Sequence, residues 1–170
     1  MHATATPLLV ACYGSPLAGD DAFGEWVGRR VEAMALPDVE VACVGMQPFG
    51  LVHRLTAGRQ GLVIVDAAQA TSATPAGALL DVDFHGQGEL QLVHDTALST
   101  HGLSIANELQ LASTLHALPP RVRLIAATLE MFDIGCRPSA VMRRLVQPAA
   151  LRVASIAQQW RCNSRSRCRA

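Results

Sequence analysis

Short runs that are apolar without a break constrain this chain most. Residues 7–13 (PLLVACY) and 62–65 (LVIV) carry no charge and no polar alternation. A strand can be apolar on both sides only if both faces of its sheet are covered, as in a parallel sheet layered by helices. Between these runs, Phe23, Trp26, Val27, Val31 and Met34 recur at steps of three and four. That spacing marks one buried stripe of a helix, closed by Pro37. Residues 39–44 and 122–127 read as further strands, and 78–84 as a strand with one more exposed face. Residues 48–57 and 103–117 read as helices. Pro138 opens a last helix running to about Trp160, in which Pro148 is expected to produce a kink or a second piece. Residues 67–76 and 86–99 read as loops, the second with a short strand at 90–93.

The order β-α-β-α-β-β-α-β-α implies an α/β fold: a three-layer α/β/α sandwich around a mixed, mostly parallel five-stranded sheet. The third and fourth strands are joined without a helix, so the fourth should run antiparallel.

The charge balance is zero, but it is unevenly spread. Residues 161–170 hold Arg161, Arg165, Arg167 and Arg169 and no acid, giving +4. Residues 1–160 hold the other 10 Arg against 14 acids, giving −4. The split separates one domain, 1–160, from a basic tail, 161–170. A body without basic excess argues against a nucleic-acid partner. No stretch has the roughly 18–20 apolar residues of a membrane helix, and the start lacks a basic signal-peptide region. The expectation is a cytoplasmic monomer with no membrane or nucleic-acid partner. The five cysteines form no C-x-x-C pair, which argues against a disulfide framework or a zinc knuckle. Cys12 and Cys43 fall inside apolar runs and read as core residues.

In sheets of this kind, sites form beyond the carboxyl ends of the parallel strands. Asp21 lies in the loop after the first strand, Asp66 ends the third, and His101 opens a helix. Two carboxylates and an imidazole make an O/O/N set suited to a divalent ion such as nickel or zinc, or to general acid–base work without metal. Each has an ordinary reading as well: Asp20 and Asp21 as helix caps, Asp66 as a turn cap, His101 as a surface histidine. His2, His53, His85, His94 and His116 read as ordinary. The Gly14–Gly19 segment could bind an anion, although the two acids that follow it oppose that.

The pattern resembles a known family. The segment GSPLAGDDAFG, from Gly14 to Gly24, is similar to the G-N-P-L-x-x-D-[DE]-x-x-G signature of the nickel–iron hydrogenase maturation endopeptidases. The strand 62–65 followed by Asp66-Ala67 is similar to their second motif, and Pro75-Ala76-Gly77 to a turn before their next strand. The segment STHGL, around His101, is similar to their [ST]-x-H-x-x-[GPS]. The likeness runs from about Leu8 to Gln158 and stops before the basic tail, which it therefore implies is a disordered extra with Cys162 and Cys168 as exposed thiols.

It implies an endopeptidase that removes the C-terminal extension of a nickel-loaded hydrogenase large-subunit precursor. Asp21, Asp66 and His101 would then be both catalytic and metal-contacting. The nickel would be presented by the substrate, with no tightly bound cofactor. Ser15 stands where the family has Asn, and Val44-Gly45-Met46-Gln47 where many members have D-G-G-[TS]. Ser15 and Gln47 are accordingly substrate-contact candidates. Leu129-Glu130-Met131-Phe132 replaces a frequent E-P-E. The alternative is a non-cleaving chaperone that checks nickel loading on the same fold.

Overall fold

The computed structural model describes residues 8–45, 49–55, 59–84 and 105–167. Five strands, β1 (Leu8–Cys12), β2 (Val39–Cys43), β3 (Leu62–Gln69), β4 (Leu79–Phe84) and β5 (Val122–Leu129), form one sheet in the order β2-β1-β3-β5-β4. The first four strands in that order are parallel, and β4 runs antiparallel to β5, as the helix-free β3–β4 connection requires. The helices are α1 (Phe23–Glu32), α2 (Gly50–Leu55), α3 (Ile105–Thr114) and α4 (Ala140–Arg167), with a 3-10 turn at Gly19–Ala22 before α1. None is long and apolar enough to cross a membrane, among the described residues.

The apolar runs are buried on both faces. Leu8, Val10, Cys12, Val63, Val65 and Ala67 pack under α1 and α4. Leu9, Ala11, Tyr13, Leu62, Ile64 and Ala68 pack under α2 and α3. The strand period of two thus assigns every side chain to a layer.

Three details of the sheet and α1 differ from the expectations. β3 does not end at Asp66 but runs to Gln69, because residues 126–129 of β5 continue the ladder beside it. Trp26 is 39% exposed. The inward face of α1 is instead Phe23, Gly24, Val27, Gly28 and Val31. A Cβ at Gly24 would lie 2.1 Å from the Tyr13 carbonyl oxygen and 2.8 Å from that of Val65. The helix therefore sits against bare sheet backbone, and the glycines take the stripe that Trp26 would have occupied. Cys43 is exposed, whereas Cys12 is buried. β2 is an edge strand, so its last residue lacks the cover its neighbour has.

The last helix starts after Pro138. Ser139 caps it, its hydroxyl accepting the Met142 N–H at 3.0 Å. α4 then continues through Pro148 without a break and on to Arg167, past the expected boundary at 160. Arg161 pairs with Asp38 at 3.4 Å, so the first basic residue of the expected tail is joined to the body. The strand expected at 90–93 and the thiol of Cys168 lie outside the described residues, as does Pro7.

Candidate active site

The loop after β1 is shaped by one carboxylate. Gly14 takes φ +115°, and a Cβ there would lie 1.9 Å from the Asp21 carbonyl oxygen. Only glycine lets the chain leave β1 in this direction. Asp21, 4% exposed, then closes the loop: its Oδ2 accepts the Ser15 N–H at 2.7 Å. The Ser15 hydroxyl accepts the Leu17 N–H at 3.3 Å, which makes a tight turn at the loop tip.

Asp20 faces elsewhere. Its carboxylate accepts the N–H of Ser139 at 2.7 Å and of Met131 at 3.3 Å. Its own N–H donates to the Met131 carbonyl at 2.6 Å, and the Gly135 N–H donates to the Leu17 carbonyl at 2.8 Å. Two loops, 14–20 and 130–139, are therefore one unit. The expected helix caps are corrected here, since neither Asp20 nor Asp21 makes a side-chain cap to α1. The 3-10 turn intervenes, and both carboxylates tie loops instead. The segment that stands in place of E-P-E thus has a defined role, with Met131 as the partner of Asp20. Leu17, Met131 and Ile134 leave large apolar side chains exposed on this unit, Ile134 at 87%.

Asp66 is buried, at 1% exposed. β1 ends in register at Cys12 opposite Val65, and the Tyr13 N–H still reaches the Val65 carbonyl at 2.9 Å. Asp66 is the next residue, at the point where β3 loses β1 as a neighbour while β5 continues beside it. By alternation it lies on the α2/α3 face, with Tyr13. Its Oδ1 accepts the N–H of Ala67 at 2.8 Å. Asp21 and Asp66 thus belong to the same end of the sheet, one on the loop leaving β1 and one on β3 beside it. His101 and Gln47 lie outside the described residues. Among the described residues, no group of three His, Cys, Asp or Glu side chains is arranged to hold a metal ion.

The sequence reading missed two buried polar residues on this face. Glu108 of α3 is 3% exposed. Its Oε1 accepts the Tyr13 hydroxyl at 3.2 Å and its Oε2 the Leu51 N–H at 3.0 Å. Burial, then the charge and hydrogen bond of Glu108, then the charge of Asp66, push the Tyr13 hydroxyl far above its ordinary pKa. The phenol therefore stays protonated and serves as a hydrogen-bond donor to Glu108. The signal was present: α3 buries Ile105, Glu108, Leu109 and Ala112, an apolar stripe with an acid at one position.

Comparison with solved structures places this architecture. The hydrogenase maturating endopeptidase HybD from E. coli superposes with a TM-score of 0.74 at 21% identity, over 90% of this chain and 93% of that one. The [NiFe] hydrogenase maturation protease HybD from Thermococcus kodakarensis gives 0.75 at 22% identity, over 89% and 99%. This chain has the hydrogenase maturation endopeptidase fold. A further [NiFe] hydrogenase maturation protease, HycI from Thermococcus kodakarensis KOD1, gives 0.69 at 24% identity, over 92% and 95%. No protein-family model and no curated protein matches the chain.

Proposed function

We propose that this protein is an endopeptidase that removes the C-terminal extension of a nickel-loaded hydrogenase large-subunit precursor. The observation that carries the reading is Asp66, a carboxylate buried at the point where β1 ends beside β3, on a fold shared with named maturation proteases. Asp21 and His101 complete the proposed set, which would contact nickel already held by the substrate. Oxygen and nitrogen donors suit such an ion, and an incomplete set leaves room for the ligands the substrate brings.

In the proposed reaction a carboxylate takes a proton from water, and the resulting hydroxide adds to the scissile carbonyl. The C–N bond then breaks, and the proton passes to the leaving amine. Ser15 and Gln47 are assigned to substrate contact, and a macromolecular substrate suits the exposed Leu17, Met131 and Ile134 beside the loop. The protein is taken to act as a cytoplasmic monomer with no resident cofactor.

The test is to mix the purified protein with nickel-loaded and nickel-free precursor and follow the precursor by mass spectrometry. Loss of the C-terminal extension from the loaded form is expected. Stable binding of the loaded precursor with no change in its mass would overturn the protease reading in favour of a nickel-checking chaperone.

A further inference from the structure

Glu108 has no part in the proposed chemistry, yet it is a carboxylate buried where one is costly. Its two oxygens are used in different directions. One holds the hydroxyl of Tyr13, the residue immediately before Gly14 and the loop that ends at Asp21. The other holds the backbone of Leu51, in the first turn of α2, which follows the segment containing Gln47. Glu108 itself lies on α3, seven residues after His101. The Tyr13 backbone is in turn bonded to Val65, the residue before Asp66. One side chain therefore ties the end of β1, at the start of the Gly14 loop, to α2 and α3.

We infer that Glu108 is a positioning residue for this site, fixing the base of the Gly14 loop, the start of α2 and α3 in one arrangement through Tyr13 and Leu51. The inference rests on the proposed function for its catalytic consequence, and on the hydrogen bonds alone for its structural one. Its requirement is geometric. A glutamine has the same length: its carbonyl can accept from Leu51 while its amide keeps a hydrogen bond to the Tyr13 oxygen with the direction reversed, the hydroxyl proton turning away. An alanine can do neither, and would leave a buried hydroxyl and a buried N–H without their acceptor.

The experiment compares full-length Glu108→Gln, Glu108→Ala and Tyr13→Phe with the parent, in cleavage of the nickel-loaded precursor and in amide hydrogen exchange. Glu108→Gln should keep kcat within about threefold. Glu108→Ala should lower it by about tenfold or more with KM little changed, as misplaced catalytic groups do. Tyr13→Phe, which deletes one oxygen, should lower kcat by an intermediate factor, and combining it with Glu108→Ala should add little. In exchange, Glu108→Ala should speed the amides of α2 and of residues 14–21 while those of β3 and β5 keep their protection.

Equal kcat for Glu108→Ala and parent, or equal damage from Gln and Ala, would overturn the assignment. If Glu108→Ala does not fold, Tyr13→Phe decides: a kcat equal to the parent's would sink the idea. If the parent itself cleaves no precursor, the proposed function fails. The exchange pattern then still decides the positioning role, with unchanged α2 and 14–21 amides counting against it.

Discussion

At the scale of single residues, position in the fold sets what each side chain can tolerate. Gly24 has two carbonyl oxygens within 3.0 Å of the place a methyl group would occupy, and neither belongs to a flexible side chain. Gly24→Ala should therefore force α1 off the sheet and cost about 3 kcal/mol or more, above the usual range for overpacking. Urea titration would measure it, and a variant as stable as the parent would contradict the close approach. Asp66 was visible in the sequence as an acid after four buried apolar residues. Asp66→Asn keeps the size and the acceptor for the Ala67 N–H. It should therefore leave the fold intact while abolishing precursor cleavage, as His101→Ala should. Full cleavage by both variants would remove these residues from the site. Trp26 was misread at the same scale. Its spacing matched the stripe, but the stripe is set by the glycines, whose importance lies in atoms they lack and which a hydropathy pattern does not register.

At the scale of elements, strands and helices were legible, and the ties between loops were not. The continuous apolar runs could satisfy nothing but a doubly covered sheet. The reach of β3 beyond Asp66 depends on β5, some sixty residues later, and no local pattern encodes it. The same holds for Asp20, which read as a cap and instead joins loop 14–20 to loop 130–139 across the chain. Asp20→Ala removes a buried carboxylate that satisfies two backbone N–H groups, and should cost about 2–3 kcal/mol. Amide exchange should rise in 131–139 specifically, so a loss spread evenly over the protein would argue against the tie. Pro148 makes the opposite case. It sits inside α4 on an exposed surface and removes one helical hydrogen bond. Pro148→Ala should raise stability by about 1 kcal/mol or more, read as an upward shift in Tm. A lower Tm would mean that the packing of α4 on α1 has been built around the proline.

For the whole molecule, the sequence divided charge into an acidic body and a basic end, and the structure joins them through α4. The outer strands, held by their ladders, also carry carboxylate–guanidinium contacts that spacing alone could not pair. Asp81 on β4 meets Arg123 of β5 at 2.5 Å and also Arg152 of α4, while Glu40 on β2 meets Arg59 at 2.6 Å and Arg54 at 3.3 Å. Partial burial opposes ionisation of Asp81, but the hydrogen bonds from Arg123 and Arg152 outweigh it and hold its pKa below the ordinary value. The hydrogen bond from Arg59 does the same for Glu40 against a smaller burial effect. A carboxylate whose pKa is lower folded than unfolded adds stability that is complete above the unfolded value, about 4, and fades as pH falls through the folded one. Both edges of the sheet should therefore loosen together in acid, with urea midpoints level near neutrality and falling below about pH 4. Each contact is partly solvated, so its share should be about 1 kcal/mol or less. The combined Asp81→Asn, Glu40→Gln variant should be less stable than the parent at pH 7 and lose less on acidification, so that the two curves converge toward pH 3. Curves that stay parallel across that range would show that these edge contacts do not govern the acid response.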